Sequence, residues 1–274
     1  MFGDKTNKIR FMYKRIISLA PSNTEILYAL NAQDRLVAVT RYCDFPEEAK
    51  KKPRIGGWLD VNDELVKSYN PDLILTSTFV QNKITSRYKK SKMNIIALMP
   101  TTHKGVFESI LKIGKLVGKE NESLQLVKSM KDKFNGIENK IKSGKKSGKN
   151  KIFHKPRVYI EEWHKPPTVS GNWVPNLVKI AGGGYNLIKA GVHSTHVTTE
   201  QIQNYNPEII IVSVCGMSDK APKEWITKRN GWENLSAVIN NKVFVFDDSL
   251  LNRPGPRLTA GTEKLAKVIH PEYF

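Results

Sequence analysis

Four aromatic side chains are the residues of this sequence best suited to hold a ligand, because each stands in or next to a predicted loop. Tyr42 and Trp58 lie in the first half of the chain, and Trp163 and Trp173 flank a Pro-Pro-Thr-Val-Ser-Gly turn in the second half. Aromatic rings offer a large contact surface at low conformational cost, which suits a flat ligand. Each ring also has an interpretation as a core side chain beneath a loop, because burial of an aromatic residue usually reflects packing.

Polar side chains in two other loops can add hydrogen bonds to a ligand. Arg253 lies in an Asn-Arg-Pro-Gly-Pro-Arg-Leu loop, where its guanidinium can bind a carboxamide, phosphate or carboxylate, or can tie the loop to neighbouring backbone. Arg257 lies in the same loop. Ser22 and Asn23 follow the first apolar run and precede a helical pattern, so either is a candidate helix cap. Both are also candidate ligand contacts.

His193 and His196 are weak candidates for a metal site, since two imidazoles at this spacing can share a metal ion on a helix. Cys43 or Cys215 would then add a thiolate. The histidine segment, however, has the pattern of a loop or strand, and no third ligand is spaced with it. We therefore expect no metal site; the two histidines then form a polar rim, or one of them reaches a metal that the ligand carries.

The sequence has none of the spaced motifs that carry catalysis. It lacks a G-x-S-x-G nucleophile elbow, a G-x-G-x-x-G after a strand, a Walker loop and an H-E-x-x-H helix. The three glycines at residues 182–184 are typical of a helix stop. We therefore predict that the protein is not an enzyme and has no catalytic cofactor.

Two segments of the chain are similar to each other, and each carries a glutamate at the same place. Residues 61–79 and 197–215 align without a gap and share Val61/Val197, Glu64/Glu200, Tyr69/Tyr205, Asn70/Asn206, Pro71/Pro207, Ile74/Ile210 and Ser77/Ser213. This internal similarity indicates one supersecondary unit used twice. Glu64 and Glu200 fall at the start of a short predicted helix, where the helix dipole stabilises a carboxylate, and we expect both on the outer rim.

The composition is that of a folded and strongly basic chain. Hydrophobic residues make up 39% of the 274 residues, and 44 Lys and Arg against 26 Asp and Glu give a net charge of +18. The densest basic run, residues 139–157, contains Gly and Ser as a solvated linker does, and no nucleic-acid motif accompanies it. We predict a solvated charge and no nucleic-acid partner, with a specific acidic partner as the alternative. No segment has the ~20 apolar residues of a membrane span, and the first residues lack the apolar core of a secretory signal.

Strand and helix patterns alternate in both halves, which predicts an α/β fold of two Rossmann-like lobes with mainly parallel sheets. We predict an N-terminal lobe over residues 1–118, an interlobe helix over 119–145 and a C-terminal lobe over 146–274. Apolar residues recur at three- and four-residue steps over residues 121–143, which predicts the long helix. Parallel α/β sheets bind ligands at the carboxyl ends of their strands, so we expect a ligand-binding cleft formed by the loops of the two lobes.

The chain resembles the substrate-binding proteins of cobalamin and siderophore ABC importers, most closely the cobalamin-binding branch. The resemblance runs from about Arg15 to Pro271 and rests on the ordered motifs RIISLAPSNTEILYALNAQDRLVAVTRYCDFP, GGW, PPTVSGNWV, AGGGYNLI, VTTEQIQNYNPEIIIVS and NRPGPRL. It implies the class III periplasmic-binding-protein fold, a single interlobe helix and no catalysis.

The resemblance also implies roles for particular residues. Tyr42 and Trp58 would face the ligand, and Glu64 and Glu200 would dock onto arginines of the two permease subunits. The family carries an aromatic residue at the positions of two serines of this chain, Ser77 and Ser194.

The hypothesis from the sequence is a monomeric, non-catalytic protein that holds a corrinoid such as cobalamin, or a related tetrapyrrole, in the cleft and delivers it to an ABC permease. One alternative is a cytoplasmic corrinoid-handling protein without a permease partner; another is a haem- or siderophore-binding protein of the same fold. An enzyme acting on a tetrapyrrole through His193 or His196 would be recognised by turnover. The sequence as written predicts a cytoplasmic protein, and an export segment outside it would make the protein extracytoplasmic and membrane-associated.

Overall fold

A computed structural model describes residues 12–147 and 154–274 of the chain. The chain divides into two compact units. The first contains the residues up to Leu98 together with Ile110–Gln125, and the second contains Met99–Ser109 together with the residues from Leu126 onward. The basic run predicted to be a linker lies partly outside the described residues, as does the segment before Met12.

The first unit is built on a four-stranded sheet in which every neighbouring pair is parallel. Its strands are β1 (Ile16–Ser18), β2 (Leu36–Val39), β3 (Leu73–Ser77) and β4 (Ile95–Leu98), hydrogen-bonded in the order β2-β1-β3-β4. Its helices are α1 (Pro21–Ala29), α2 (Asp63–Ser68) and α3 (Asn82–Lys90), with 3-10 helices at Gln33–Arg35, Glu47–Lys51 and Phe79–Gln81. Every residue of β1 and β3 is buried, as expected for parallel strands covered on both faces.

The second unit contains a five-stranded sheet that is parallel in its centre. Its strands are β5 (Val158–Trp163), β6 (Thr168–Val169), β7 (Thr195–His196), β8 (Ile209–Val212) and β9 (Val243–Val245), in the order β7-β6-β5-β8-β9. The β5–β8 and β8–β9 pairs are parallel, whereas β6 pairs antiparallel with β5 and with β7. The predicted α/β class with mainly parallel sheets is therefore confirmed.

The remaining helices belong to the second unit or run through both units. Helices α4 (His103–Leu116) and α5 (Glu120–Ser147) each cross from one unit to the other along the chain. Within the second unit lie α6 (Val174–Ile180), α7 (Thr199–Tyr205), α8 (Glu224–Thr227), α9 (Ser236–Ile239) and α10 (Leu258–Ile269), with 3-10 helices at Asp248–Leu250 and Pro271–Tyr273.

Helix α5 is the long helix that the apolar periodicity predicts. Its buried stripe lies in the second unit and consists of five side chains that are at most 6% exposed: Val127, Met130, Phe134, Ile137 and Ile141. Leu124 belongs to the same sequence pattern but is 58% exposed. The stripe therefore begins one turn later than the pattern predicts.

The two sequence repeats fold into the same local structure. Asn62 caps α2 and Thr198 caps α7, each through its side-chain oxygen. The asparagine after each helix has a left-handed backbone, with φ of 41° at Asn70 and 44° at Asn206. An αL residue at this place is the usual helix stop, and asparagine tolerates it better than most residues.

An arginine immediately before the first strand of each unit stabilises the repeat of that unit. Arg15 Nε donates to the Asn70 carbonyl at 3.0 Å, and Arg157 Nε donates to the Asn206 carbonyl at 2.9 Å. Asp72 of the first repeat accepts from the backbone N–H of Arg15, and Glu208 of the second from that of Arg157. The sequence repeat is therefore also a repeat of hydrogen bonds.

The helix-capping prediction for Ser22 and Asn23 is wrong. Helix α1 begins at Pro21, its cap position is Ala20, and no side chain caps it. Proline suits the first helical position because its missing N–H would have no partner inside the helix.

Candidate functional site

The loop over residues 56–61 presents Trp58 next to the carboxyl end of β2. Backbone pairing between Val39 and Arg54 and between Gly56 and Val61 closes this loop. Gly56 has a φ of 116°, and a Cβ there would lie 2.3 Å from the Asp60 carbonyl oxygen. At the neighbouring Gly57, an added Cβ would lie 2.0 Å from an oxygen of the Asp60 carboxylate. Glycine is therefore required at Gly56, where the backbone conformation and the Asp60 carbonyl both exclude a side chain.

Arg41 links this loop to the one that follows β2. Its guanidinium donates to the Asp60 carboxylate at 2.6 Å and lies 6.0 Å from the centre of the Tyr42 ring. Both members of the ion pair are more than half exposed, so the pair adds at most about 1 kcal/mol to stability. Its effect is to place Tyr42 and Trp58 in adjoining loops.

Gln81 is the buried polar centre of this edge of the first sheet, with 0% exposure. Its Nε2 donates to the carbonyl oxygens of Leu19 at 2.7 Å and Trp58 at 3.2 Å. Its Oε1 accepts from the backbone N–H of Ser77 at 2.8 Å. One side chain thus ties together the loops after β1 and β3 and the Trp58 loop.

Large apolar side chains are exposed in the loops at this edge. Their exposed fractions are 57% for Leu59, 47% for Tyr42, 46% for Phe79, 44% for Phe45 and 39% for Val80. Exposed apolar groups gathered on loops are typical of a binding surface. Trp58 is partly exposed, and its indole Nε1 is buried without a hydrogen-bond partner among the described residues.

Ser22 and Asn23 lie in the first turn of α1, directly after β1, and are 3% and 1% exposed. The Asn23 amide Nδ2 is buried and has no hydrogen-bond partner within the described part of the chain. A buried donor left unpaired costs about 1–3 kcal/mol, so this amide, like the Trp58 indole, is a group that a bound acceptor would satisfy.

Cys43 is a packing residue rather than a metal ligand. It is 0% exposed and its sulfur lies 3.1 Å from Thr24 Oγ1 and 3.3 Å from Thr40 Oγ1. Burial is the main cause that raises the pKa of the thiol, which disfavours a thiolate.

In the second unit, β5 carries two consecutive glutamates just before its last residue, Trp163. Their side chains take opposite faces of the sheet, because side chains alternate along a strand. Glu161 is 0% exposed and is held by both guanidinium nitrogens of Arg229, at 2.6 and 2.8 Å. The Tyr159 hydroxyl donates to the same carboxylate at 3.0 Å. The Arg229 guanidinium also lies 4.2 Å over the Trp232 ring. This buried pair fixes the carboxyl end of the strand.

His164 follows β5 and extends this cluster. Its Nδ1 accepts from Arg229 at 2.7 Å, and its ring stacks on Trp225 at 4.1 Å. Burial is the main cause that lowers the His164 pKa. Because Arg229 can only donate, Nδ1 carries no proton, and the neutral ring keeps its proton on Nε2.

Glu162 lies at the end of β5 on the other face. Its Oε2 accepts hydrogen bonds from the hydroxyls of Ser170 at 3.0 Å and Ser194 at 2.7 Å. Ser194 Oγ itself accepts from the backbone N–H of Gly171 at 3.0 Å. Burial raises the pKa of the Glu162 carboxyl, and the two serine hydroxyls oppose that shift.

The two tryptophans of the second unit differ in exposure. Trp163 is 51% exposed and donates its indole N–H to the Lys165 carbonyl at 3.1 Å. Trp173 is 4% exposed and donates to the Leu251 carbonyl at 2.7 Å. The burial of Trp173 favours the packing interpretation, whereas Trp163 has a free face.

The loop that carries Arg253 is fixed from several sides. Asn252 Nδ2 donates to the Ser213 carbonyl at 2.7 Å and to Cys215 Sγ at 3.3 Å. Burial raises the pKa of Asp248 in the same loop, and the positive charge of Arg253 is one of the influences that oppose it. Arg257 donates to the Ser249 hydroxyl at 3.0 Å, in agreement with a structural role.

His193 and His196 do not converge on a common point. His193 Nδ1 lies 3.0 Å from Asn172 Oδ1, and His196 Nδ1 lies 3.1 Å from Thr168 Oγ1. Burial, followed by the nearby Glu162 carboxylate, raises the pKa of the Cys215 thiol. Across residues 12–147 and 154–274, no group of three or more His, Cys, Asp or Glu side chains is placed to hold a metal ion.

Glu64 and Glu200 occupy equivalent positions at the second residue of α2 and α7. Both are exposed, and neither carboxylate forms an ion pair with another described residue. The caps of the two helices are Asn62 and Thr198. The glutamates are therefore not needed as caps.

Sequence reasoning missed three residues of these edges: Gln81, Phe79 and Glu162. Phe79 follows Thr78, a non-glycine residue with a φ of 72°. Two consecutive glutamates at the end of an apolar run were the available signal for Glu162, since charged residues seldom end a buried strand without a partner. Nothing in the local sequence marks Gln81, because its partners are up to 62 residues away.

Two α/β units with parallel strands and loop-borne polar and aromatic groups define a class of ligand-binding proteins, and comparison with known proteins identifies the family. The sequence matches the periplasmic binding protein family over residues 16–250. The chain belongs to this family.

Individual relatives and structures agree with this assignment. The ABC transporter substrate-binding lipoprotein YvrC of Bacillus subtilis is 33% identical over 269 residues, covering 95% of this chain and 81% of the relative. A vitamin B12-binding protein of Vibrio parahaemolyticus is 25% identical over 248 residues, 89% of this chain and 85% of the relative. A possible iron-binding periplasmic solute-binding protein from Staphylococcus epidermidis is 28% identical with a TM-score of 0.77, covering 95% of this chain and 100% of that chain. Within the described residues, no helix is long and apolar enough to cross a membrane.

Proposed function

We propose that the protein is the non-catalytic substrate-binding component of an ABC importer and that its ligand is a corrinoid or a related tetrapyrrole metal chelate. Each unit has candidate ligand contacts in the loops at the carboxyl end of its own sheet. Tyr42, Trp58 and Trp163 supply ring faces, and Arg253 supplies a hydrogen-bond donor. The ligand is cargo, so it takes part in no reaction on this chain.

The observation that carries this proposal is the apolar surface at the edge of the first sheet. Tyr42, Leu59 and Phe79 are each about half exposed, yet the surrounding loops are held by the fully buried Gln81 and by the required Gly56. A rigid surface of exposed rings loses little conformational entropy when a flat ligand covers it. The unpaired Trp58 indole and Asn23 amide add two donors for polar groups at the ligand's periphery.

The proposed partner is the permease of the importer, which places the protein outside the cytoplasm. Glu64 and Glu200 support this proposal because they are exposed carboxylates at equivalent positions in the two units and have no ion-pair partner among the described residues. Charged groups that are free in the unbound protein give electrostatic complementarity to a basic partner surface. Each unit would therefore offer one carboxylate to one permease subunit.

A titration tests the ligand class. Cobalamin, cobinamide and haemin are added to the protein while absorbance and melting temperature are followed. A ligand present at 100 times its dissociation constant should stabilise the folded state by about 2.7 kcal/mol. If none of the three changes either the spectrum or the melting temperature, the tetrapyrrole proposal is wrong. A matching response to ferric siderophores would then identify the other branch of the family.

A charge-reversal pair tests the docking role. The variant Glu64→Lys/Glu200→Lys should bind ligand normally but lose binding to permease reconstituted in nanodiscs. The control Glu108→Lys/Glu224→Lys makes the same change of net charge at two other exposed glutamates and should dock normally. Equal docking by both double variants would contradict the role of Glu64 and Glu200. A protein that binds corrinoid but never docks would instead be a carrier without a permease partner.

A further inference from the structure

The carboxyl end of the second sheet carries two buried oxygen atoms that lack a hydrogen-bond partner among the described residues. Residues 213–215 continue β8 alongside β5, because Ser213 N–H donates to the Glu161 carbonyl at 2.9 Å and Cys215 N–H donates to the Glu162 carbonyl at 3.1 Å. Ser213 follows the Glu161–Val212 pair in register, so its side chain shares a face with Glu162. The Glu162 carboxylate also lies close enough to Cys215 to help raise the pKa of its thiol. The side chain of Asn252 reaches the same place through its bonds to the Ser213 carbonyl and Cys215 Sγ.

Two of the hydroxyl donors at this place are already used. The hydroxyl hydrogens of Ser170 and Ser194 both go to Glu162 Oε2. The Asn252 amide nitrogen must be the atom that faces the Ser213 carbonyl, because a carbonyl only accepts. The amide orientation is therefore fixed by its partner.

Two buried oxygen atoms remain unsatisfied. Asn252 Oδ1 and Ser213 Oγ are buried and have no hydrogen-bond partner among the described residues. Glu162 Oε1 also receives no hydrogen bond from the described residues, although Oε2 of the same carboxylate receives two. Buried acceptors left without a partner cost free energy in the unbound protein, and a ligand that brings donors recovers it.

We infer that this acceptor cluster, formed by Glu162, Ser213 and Asn252, selects ligands whose periphery carries neutral hydrogen-bond donors, amide N–H or hydroxyl groups, over ligands that carry carboxylates there. The inference rests on the proposed function and narrows its ligand class to amide- or hydroxyl-bearing chelates. A carboxylate placed against Glu162 would bring a like charge into a partly buried site and leave the acceptors unpaired.

The positive charge nearest in sequence lies beside a second carboxylate. Arg253 follows Asn252, but its charge already acts on the Asp248 carboxylate. Asp248 also accepts from the backbone N–H groups of Gly216 at 3.1 Å and Ser218 at 2.8 Å, so it stays in place beside the arginine.

Two corrinoids with the same ring test the inference. Dicyanocobinamide carries amides around the ring, and dicyanocobyrinic acid carries carboxylates at the same positions. The dissociation constants of both are measured by absorbance for the unchanged protein, for Glu162→Gln and for the control Glu224→Gln, which removes one charge from an exposed glutamate of the same unit. The readout is the ratio of the two dissociation constants, which is insensitive to a general loss of affinity.

The unchanged protein should prefer the amide form by about tenfold or more, as expected when a site leaves polar groups unpaired with the wrong ligand. Glu162→Gln, which can donate to a carboxylate, should reduce that ratio at least tenfold, and Glu162→Ala should reduce it as well if the first variant folds poorly. The control should keep the original ratio.

Two negative results have different meanings. If the amide preference is absent, or is the same in Glu162→Gln as in the unchanged protein, the inference is overturned while corrinoid binding stands. If neither corrinoid nor haemin binds the unchanged protein, the proposed ligand class is wrong and the inference falls with it.

Discussion

Removing Arg229 should destabilise the second unit more than any surface charge would. The change Arg229→Met deletes both hydrogen bonds to Glu161, at 2.6 and 2.8 Å, and leaves that carboxylate fully buried with only Tyr159 and His164 as neighbours. Breaking one side of a buried ion pair costs about 3–5 kcal/mol. At roughly 2–4 °C per kcal/mol for a domain of this size, the melting temperature of the second unit should fall by roughly 6–20 °C.

The matched control is Arg87→Met in the first unit. Arg87 pairs with Asp63 at 2.8 Å, a similar distance, but the two side chains are 45% and 38% exposed. Exposed pairs contribute about 0–1 kcal/mol, because water screens them and both side chains lose conformational freedom. Urea unfolding and thermal melting followed by circular dichroism would compare the two variants directly.

A double variant separates the lost ion pair from lost packing. Glu161→Leu with Arg229→Met removes both charges, and replacing a buried pair by apolar side chains is often nearly neutral. The double variant should therefore recover at least half of the stability lost in Arg229→Met. The uncompensated-charge explanation is refuted if Arg229→Met loses no more stability than Arg87→Met. It is also refuted if the double variant is less stable than Arg229→Met.

Three further predictions concern single side chains. Gln81→Leu should lower the free energy of unfolding by about 2–3 kcal/mol and weaken ligand binding, because buried groups at three loops lose their partner. The control Gln125→Leu, at an exposed position, should change neither quantity when both are measured by urea unfolding and ligand titration. Met130→Ala, at 2% exposure in α5, should cost about 2–5 kcal/mol in urea unfolding, and Leu124→Ala, at 58% exposure, should cost far less; equal costs would show that the stripe does not pack. Burial raises the Glu162 pKa above its ordinary value of 4.5, so the unfolded state releases this proton first and the folded protein loses stability as pH rises from 4.5 through the raised value. Glu162→Gln should remove that loss of stability. If the free energy of unfolding falls with pH by the same amount in Glu162→Gln as in the unchanged protein, the prediction is wrong.

Local patterns in the sequence were sufficient for most of the regular structure. The strand predicted over residues 36–39 and the helix predicted over residues 258–269 have the predicted bounds, because each is a short run of one periodicity with clear ends. Helix α3 was missed, since Asn82–Lys90 is mostly polar and charged and shows its amphipathic face only through Ile84 and Tyr88. The strands β6 and β7 were missed because two residues carry no period.

The sequence by itself determined the repeat, the α/β class and the long helix, because these depend on periodicity, caps and turn residues within a few positions of each other. The tertiary structure alone decided which side chains hold the site. Glu161 meets Arg229 across 68 residues and Gln81 meets Leu19 across 62, and no local pattern encodes such a pairing. It also separated Trp163, which is half exposed, from Trp173, which is buried, although both tryptophans flank the same turn. Burial depends on what the rest of the chain packs against each ring.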